Sequence, residues 1–206
     1  LDREDYRPSS ALGGFTNGVS ALEMASGYAA LANDGRYRAP SCILKIVDAV
    51  GTEVYVRQET GEEVYRQNAA RTMTDVLCGV FTDGTGKGLG LKNMPCAGKT
   101  GTTNENKDGW FVGYTRYYTT SVWVGYDMPR PMDDLMGSTY PGRIWRDFME
   151  QAHEGLEPLE FLPYAQLSEE FEEESSEPEG AAAKGPSEPE GAAAKEPSEP
   201  EGAAGE

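Results

Sequence analysis

From Glu169 to the C-terminus the chain has almost nothing to bury, so a core must be built from the first 167 residues. An eleven-residue unit, S-E-P-E-G-A-A-A-K-[GE]-P, runs from Ser176 to Pro186, repeats from Ser187 to Pro197 and starts a truncated copy at Ser198. Its apolar content is alanine, and Pro and Gly interrupt any helix before it reaches a stable length. The period is also too short for an ordinary solenoid unit. Charge divides the same way. Residues 1–167 hold 22 acidic and 16 basic side chains, whereas 168–206 hold 13 and 2. The reading is a mildly acidic folded domain over 1–167 and a disordered, solvated spacer over 168–206 whose partner is unknown. No basic stripe points to nucleic acid. No apolar run approaches the roughly 18 residues a membrane span needs. The opening Leu1-Asp2-Arg3-Glu4-Asp5, with neither initiator Met nor secretory signal, reads as a cut from a longer protein.

Within 1–167 the periodicities alternate between helix and strand. Ser20 and Glu23 form an S-x-x-E capping box for a helix that Asn33-Asp34-Gly35 stops. Leu22, Ala25, Ala29 and Ala32 are expected on its core face. Ile43 to Val50 and Glu53 to Gln58 read as a hairpin around Gly51-Thr52. A second helix is expected from Asn68 to Phe81, with Met73, Val76, Leu77 and Val80 at helical spacing. It runs into the glycine loop Asp83-Gly84-Thr85-Gly86-Lys87-Gly88. That loop is not a phosphate-binding P-loop, because Gly88 follows Lys87 where a Ser or Thr is required. Strands follow at Cys96–Thr102, Gly109–Arg116 and Thr119–Tyr126, the last two joined by a short hairpin. Tyr114, Trp123 and Tyr126 are read as core or sheet-face aromatics. A final helix from Pro141 or Gly142 to Ala152 should lay Ile144, Trp145, Phe148, Met149 and Ala152 on the sheet and turn Asp147 and Glu150 to solvent.

The cysteines form no close pairing. Cys42 and Cys78 lie in apolar patterns and are expected to be buried. Cys96, three residues before Lys99, is read as packed, with a reactive thiol as the alternative. His153, the single histidine, has no partners at metal-ligand spacing and is read as a helix C-terminal cap. No cofactor is implied.

The chemistry concentrates in Lys99-Thr100-Gly101-Thr102-Thr103. On a strand, Lys99 and Gly101 face one way and Thr100 and Thr102 the other. With Ala97-Gly98 before it, the polar turn Asn104-Glu105-Asn106-Lys107-Asp108 after it, and then Trp110-Phe111-Val112-Gly113-Tyr114, the block resembles the transpeptidase domain of class A (bifunctional) penicillin-binding proteins. The resemblance runs from about Ala11 to Phe148 and includes K-T-G, a motif of serine enzymes that form an acyl-enzyme with penicillin.

That resemblance implies an α+β fold, the C-terminal half of the serine β-lactamase and DD-transpeptidase architecture. It also implies D-alanyl-D-alanine transpeptidation on peptidoglycan stem peptides, with β-lactams as mimics, on the extracytoplasmic face of the bacterial membrane. Lys99 would attract the terminal carboxylate, Thr100 and Thr102 would donate hydroxyl hydrogen bonds to it, and Gly101 would let the ligand lie along the strand. The backbone N–H of Thr102 would be one oxyanion donor. Thr103, Asn104 and Trp110 flank the site, and Asp83–Gly86 match a G-T-G loop that shapes the turn. The family's other two motifs are missing. No lysine has a serine three residues before it, and no asparagine has one two residues before it. The expectation is that both motifs, a glycosyltransferase domain and the membrane anchor precede this segment, and that the segment alone is inactive. A carboxypeptidase or β-lactamase, in which water replaces the acceptor amine, and a non-catalytic stem-peptide scaffold are the alternatives.

Overall fold

The first regular helix starts where its capping residues dictate. A computed structural model describes residues 3–166, apart from positions 17 and 59. The reading of 168–206 as a disordered spacer lies outside the described residues. Helix α1 spans Ala21–Ala32, and its capping box forms as the sequence implies. The Glu23 N–H donates to Ser20 Oγ at 3.2 Å, and the Ser20 N–H donates to Glu23 Oε2 at 2.8 Å. The helix stops at Asn33, and Asp34 and Gly35 turn the chain through left-handed backbone. Gly35 is needed there twice over. Its φ is 85°, and a Cβ would sit 2.1 Å from the carbonyl oxygen of Tyr65.

Two small ribbons follow. Strand β1 (Arg36–Tyr37) pairs with β4 (Glu62–Glu63), and β2 (Lys45–Val47) pairs with β3 (Glu53–Val56). The second pair is the expected hairpin. Asp48 builds its turn by accepting the N–H groups of Val50 and Thr52. The first pair is too short to leave a periodic signal. Both strands of the β2–β3 hairpin are exposed throughout.

Helix α2 (Gln67–Thr82) leads to a three-stranded antiparallel sheet, β5 (Ala97–Thr102), β6 (Asp108–Tyr114) and β7 (Thr119–Gly125), and helix α3 (Tyr140–Ala152) closes the order. Strand alternation gives the sheet two buried faces. Phe111 packs with Trp145, Met149 and Leu89 on the α3 side, while Tyr114, Ala97 and Leu77 meet Tyr28 and Leu31 of α1 on the other. The result is α+β, as expected.

The helix faces differ in detail from their sequence reading. On α1 the buried surface centres on Tyr28, Ala30 and Leu31, and Leu22 is 62% exposed. On α2 the buried residues are Ala70, Thr74 and Leu77, whereas Met73 and Val76 are exposed. Thr74 is tolerated inside because its hydroxyl bonds both the Ala70 carbonyl and the Tyr114 phenol. On α3 only Trp145 and Met149 of the expected stripe are fully buried, and Ile144 and Phe148 stand about half exposed. Glu150 turns back to accept the Lys92 N–H, so it is not a purely solvent-facing carboxylate, while Asp147 is exposed beside Arg146.

His153 terminates α3 as a cap, but a buried one. Its Nδ1 lies 2.7 Å from the Met149 carbonyl, which can only accept, so Nδ1 carries the proton. Nε2 then accepts from Thr115 Oγ1 at 2.8 Å, while Thr115 itself accepts the N–H groups of Tyr117 and Tyr118. One histidine thus ties α3 to the β6–β7 turn.

Candidate functional site

Strand β5 carries Lys99 to Thr102 along one border of its sheet, and its register fixes which backbone groups face outward. The N–H of Thr103 donates to the carbonyl of Asp108 at 3.0 Å. In an antiparallel ladder, bonded and non-bonded pairs alternate. Gly101 opposite Trp110 and Lys99 opposite Val112 therefore exchange bonds with β6, and the backbone groups of Thr100 and Thr102 turn toward the open edge. The outward direction of the Thr102 N–H follows from two observations, the register and a single turn bond.

Exposure along the strand does not follow the simple two-face alternation, because loops from elsewhere cover part of each face. Lys99 and Thr102 are exposed, and Thr100 and Gly101 are partly covered. Lys99 Nζ donates to the Thr100 carbonyl at 2.9 Å, which holds the ammonium along the open edge. The Thr100 hydroxyl lies 2.6 Å from that of Thr85. Thr102 Oγ1 accepts the N–H of Gly137 at 3.0 Å. Gly101 faces Trp110 across the ladder, where a Cβ would meet the indole side chain at 3.1 Å. Its bareness thus serves the sheet as well as the open edge.

Thr103 closes the strand rather than extending it. Its hydroxyl donates to Asp108 Oδ2 and accepts the Asp108 N–H at 2.8 Å. Asp108 also accepts the Trp123 indole N–H at 3.0 Å. Asn104 opens a short turn in which Glu105 and Asn106 take positive φ, and Lys107 pairs with Glu105. Trp110 and Trp123, 6.4 Å apart, border a cleft of about 690 Å³ with Thr103, Phe15 and Val19. Tyr126 stacks under the Arg130 guanidinium and Tyr114 is wholly buried, in keeping with their reading as structural aromatics.

The thiols resolve into two kinds. Cys78 and Cys96 are partly buried, and burial pushes both thiols up to about 11, so both are protonated at neutral pH. For Cys96 this selects packing over reactivity. Cys42, expected to be buried, is exposed, because the loop before the β2–β3 hairpin lies away from both core clusters.

Two contacts escaped the sequence reading. Thr85 lies 15 residues before Thr100, and Gly137 lies 35 residues after Thr102. The G-T-G motif hints at a shaped loop for the first but not at its contact with Thr100. Gly137 carried no signal at all. A Cβ there would fall 2.4 Å from the Trp110 carbonyl and 2.8 Å from the Gly101 nitrogen, so only glycine allows this backbone to lie against K-T-G.

Comparison with known proteins gives the same picture. The chain is 34% identical over 149 residues to penicillin-binding protein 4 of Bacillus subtilis, covering 72% of this chain and 24% of that protein. It is 35% identical over 158 residues to penicillin-binding protein 1A of Clostridium acetobutylicum, covering 76% and 19%. The chain therefore spans about a quarter or less of these relatives. PonA1 of Mycobacterium tuberculosis superimposes with a TM-score of 0.65 at 30% identity, over 71% of this chain and 42% of that one. Its complex with penicillin V gives 0.64 at 31% identity, with the same coverage. The sequence model of one family matches residues 5–150. With its K-T-G strand at an open sheet border, the chain belongs to the penicillin-binding protein transpeptidase domain family.

Proposed function

We propose that this chain supplies the K-T-G side of a serine-type D-alanyl-D-alanine transpeptidase that cross-links peptidoglycan stem peptides. In this reading a serine from an S-x-x-K motif, carried elsewhere in a longer polypeptide, attacks the carbonyl of the penultimate D-alanine. The terminal D-alanine leaves as a free amine, and an ester to the serine remains. An amine of a neighbouring stem then attacks that ester, forming the cross-linking amide and returning the serine.

The residues of β5 have defined parts in this scheme. Lys99, exposed at the border, attracts the substrate's terminal carboxylate. The hydroxyls of Thr100 and Thr102 donate to the same group. The N–H of Thr102 receives the oxyanion that forms as the serine adds, a contribution worth about 10²–10³ in rate. Gly101 leaves room along the strand. Thr103, whose hydroxyl is committed to Asp108, holds the end of the strand in place. The observation that supports the reading most directly is the register, which directs the Thr102 N–H to the open edge beside an exposed lysine.

The domain division belongs to the proposal too, with 1–167 as part of the transpeptidase domain and 168–206 as a spacer. So does the location, at the extracytoplasmic face of the membrane. Among the described residues no helix is long and apolar enough to cross a membrane.

The test is acylation of the complete polypeptide by benzylpenicillin, followed by peptide mapping of the adduct and a cross-linking assay on peptidoglycan precursors. An acylated serine together with cross-linked dimers supports the proposal. Hydrolysed stems without dimers would replace it with a carboxypeptidase. Absence of any adduct would leave stem-peptide binding without turnover.

A further inference from the structure

The two threonines of K-T-G-T do not stand alone, because each is met from behind by a polar group on another loop. For Thr102 the direction of the bond is fixed. The Gly137 N–H can only donate, so Thr102 Oγ1 accepts, and its own hydroxyl proton is left for another partner. For Thr100 the partner is a second hydroxyl, Thr85 Oγ1, at 2.6 Å, and either can donate.

Thr85 reaches Thr100 from a braced loop. The Gly84 N–H donates to the Gly79 carbonyl and the Gly86 N–H to that of Val80, both at 3.0 Å. The Leu89 N–H donates back to Gly86 at 2.9 Å. A Cβ on Gly84 would fall 2.7 Å from Val80 Cα, so the glycines let this loop close onto the end of α2. Thr85 itself is exposed. Its side chain buries little, and its hydroxyl meets that of Thr100.

We infer that Thr85 is a positioning residue that sets the polarity of the K-T-G site toward anionic ligands. When a carboxylate lies at the edge, it draws the Thr100 proton, and Thr85 donates into the lone pair of Thr100 that faces away. Both hydroxyls then point one way, and each polarises the next. The Gly137 N–H does the same for Thr102. Thr85 thus strengthens binding of a carboxylate it never touches. The inference rests on the transpeptidase reading above.

The experiment compares benzylpenicillin with its methyl ester on the complete polypeptide, measuring the acylation rate constant and the pre-acylation dissociation constant separately. Thr85→Val should weaken acylation by benzylpenicillin about 3- to 10-fold, the worth of one net hydrogen bond. The loss should fall on the dissociation constant. Thr85→Ser should restore the rate. Reaction with the methyl ester should be unchanged, and Thr85→Val should add nothing in a Thr100→Val background. Equal losses with acid and ester, or no loss with the acid, would overturn the positioning role while leaving wild-type acylation intact. A wild-type protein inert to both compounds would instead overturn the transpeptidase reading, and this inference with it.

Discussion

At the scale of single residues, Lys99 gives the sharpest test of the site. Its ammonium is exposed and, among the described residues, bonds a carbonyl on its own strand, so the core does not depend on it. Replacing it removes a charged donor to the ligand carboxylate, worth about 1.5–3 kcal/mol. Lys99→Ala in the complete protein should therefore lower β-lactam acylation about 10- to 100-fold, with the thermal midpoint nearly unchanged. Stopped-flow acylation and a thermal melt on the same preparation check both halves. Unaltered acylation would remove Lys99 from the site, and a collapsed melt would make it structural. The strand residues were legible in the sequence because period-2 alternation is local and needs no knowledge of the rest of the fold. Thr85 and Gly137 were not, because their roles arise from where two distant loops come to rest. Cys42 was misread for a related reason. Apolar neighbours signal burial only if the segment docks on something, and the loop before β2 does not reach either core cluster.

Among the elements, helix positions were readable and helix faces less so. Capping residues announce the ends of α1 from within four residues of sequence. The most apolar stripe of each helix predicts its buried face, yet α1 turns Tyr28 inward against the Tyr114 ring and α2 turns in Thr74, whose hydroxyl bonds the Tyr114 phenol. A further element, the extended stretch 157–166, carries no periodicity, yet it is bound along its length. Tyr117 Oη donates to the Glu157 carbonyl, Arg71 Nη1 to that of Pro163, and Asn68 exchanges two bonds with Ala165. Phe161 meets Tyr114 edge-on. Arg71 is the joint of this arrangement, since its guanidinium also holds Asp34, at the end of α1, through two bonds. Hydrogen bonding from Arg71 holds the Asp34 carboxyl below its usual value. A carboxyl lowered by folding contributes stability above its unfolded pKa, and the contribution is lost as pH falls through the folded one. Partial exposure of the pair keeps that contribution modest. Urea midpoints measured from about pH 5 down to about pH 2 should thus fall more steeply for the wild type than for Arg71→Met, across and below the ordinary Asp range near 3.9. Parallel curves would mean that the ion pair contributes nothing to the acid limb.

The whole molecule brings together positioning groups without the group they would position. In the proposed reading Lys99, the two threonine hydroxyls and the outward N–H of Thr102 attract a carboxylate and stabilise an oxyanion. None of them supplies the atom that becomes acylated. No lysine in the 206 residues follows a serine at the S-x-x-K spacing, so no serine has the neighbouring base by which that motif activates its nucleophile. Ser20 is held in its capping box by Glu23, and Ser121 Oγ is buried. The chain of 206 residues on its own should therefore form no covalent adduct with a fluorescent penicillin, even at concentrations where the complete protein labels fully. Denaturing electrophoresis after incubation reads this out, because only an acyl ester survives the denaturant. A labelled band would show that a serine present here is activated by another route. Ser138, next to the Gly137 that contacts Thr102, would be the first position to map and replace. Absence of a band, with labelling recovered when the segment carrying S-x-x-K is joined to the chain, would assign the acyl chemistry to that segment and recognition of the carboxylate to this one.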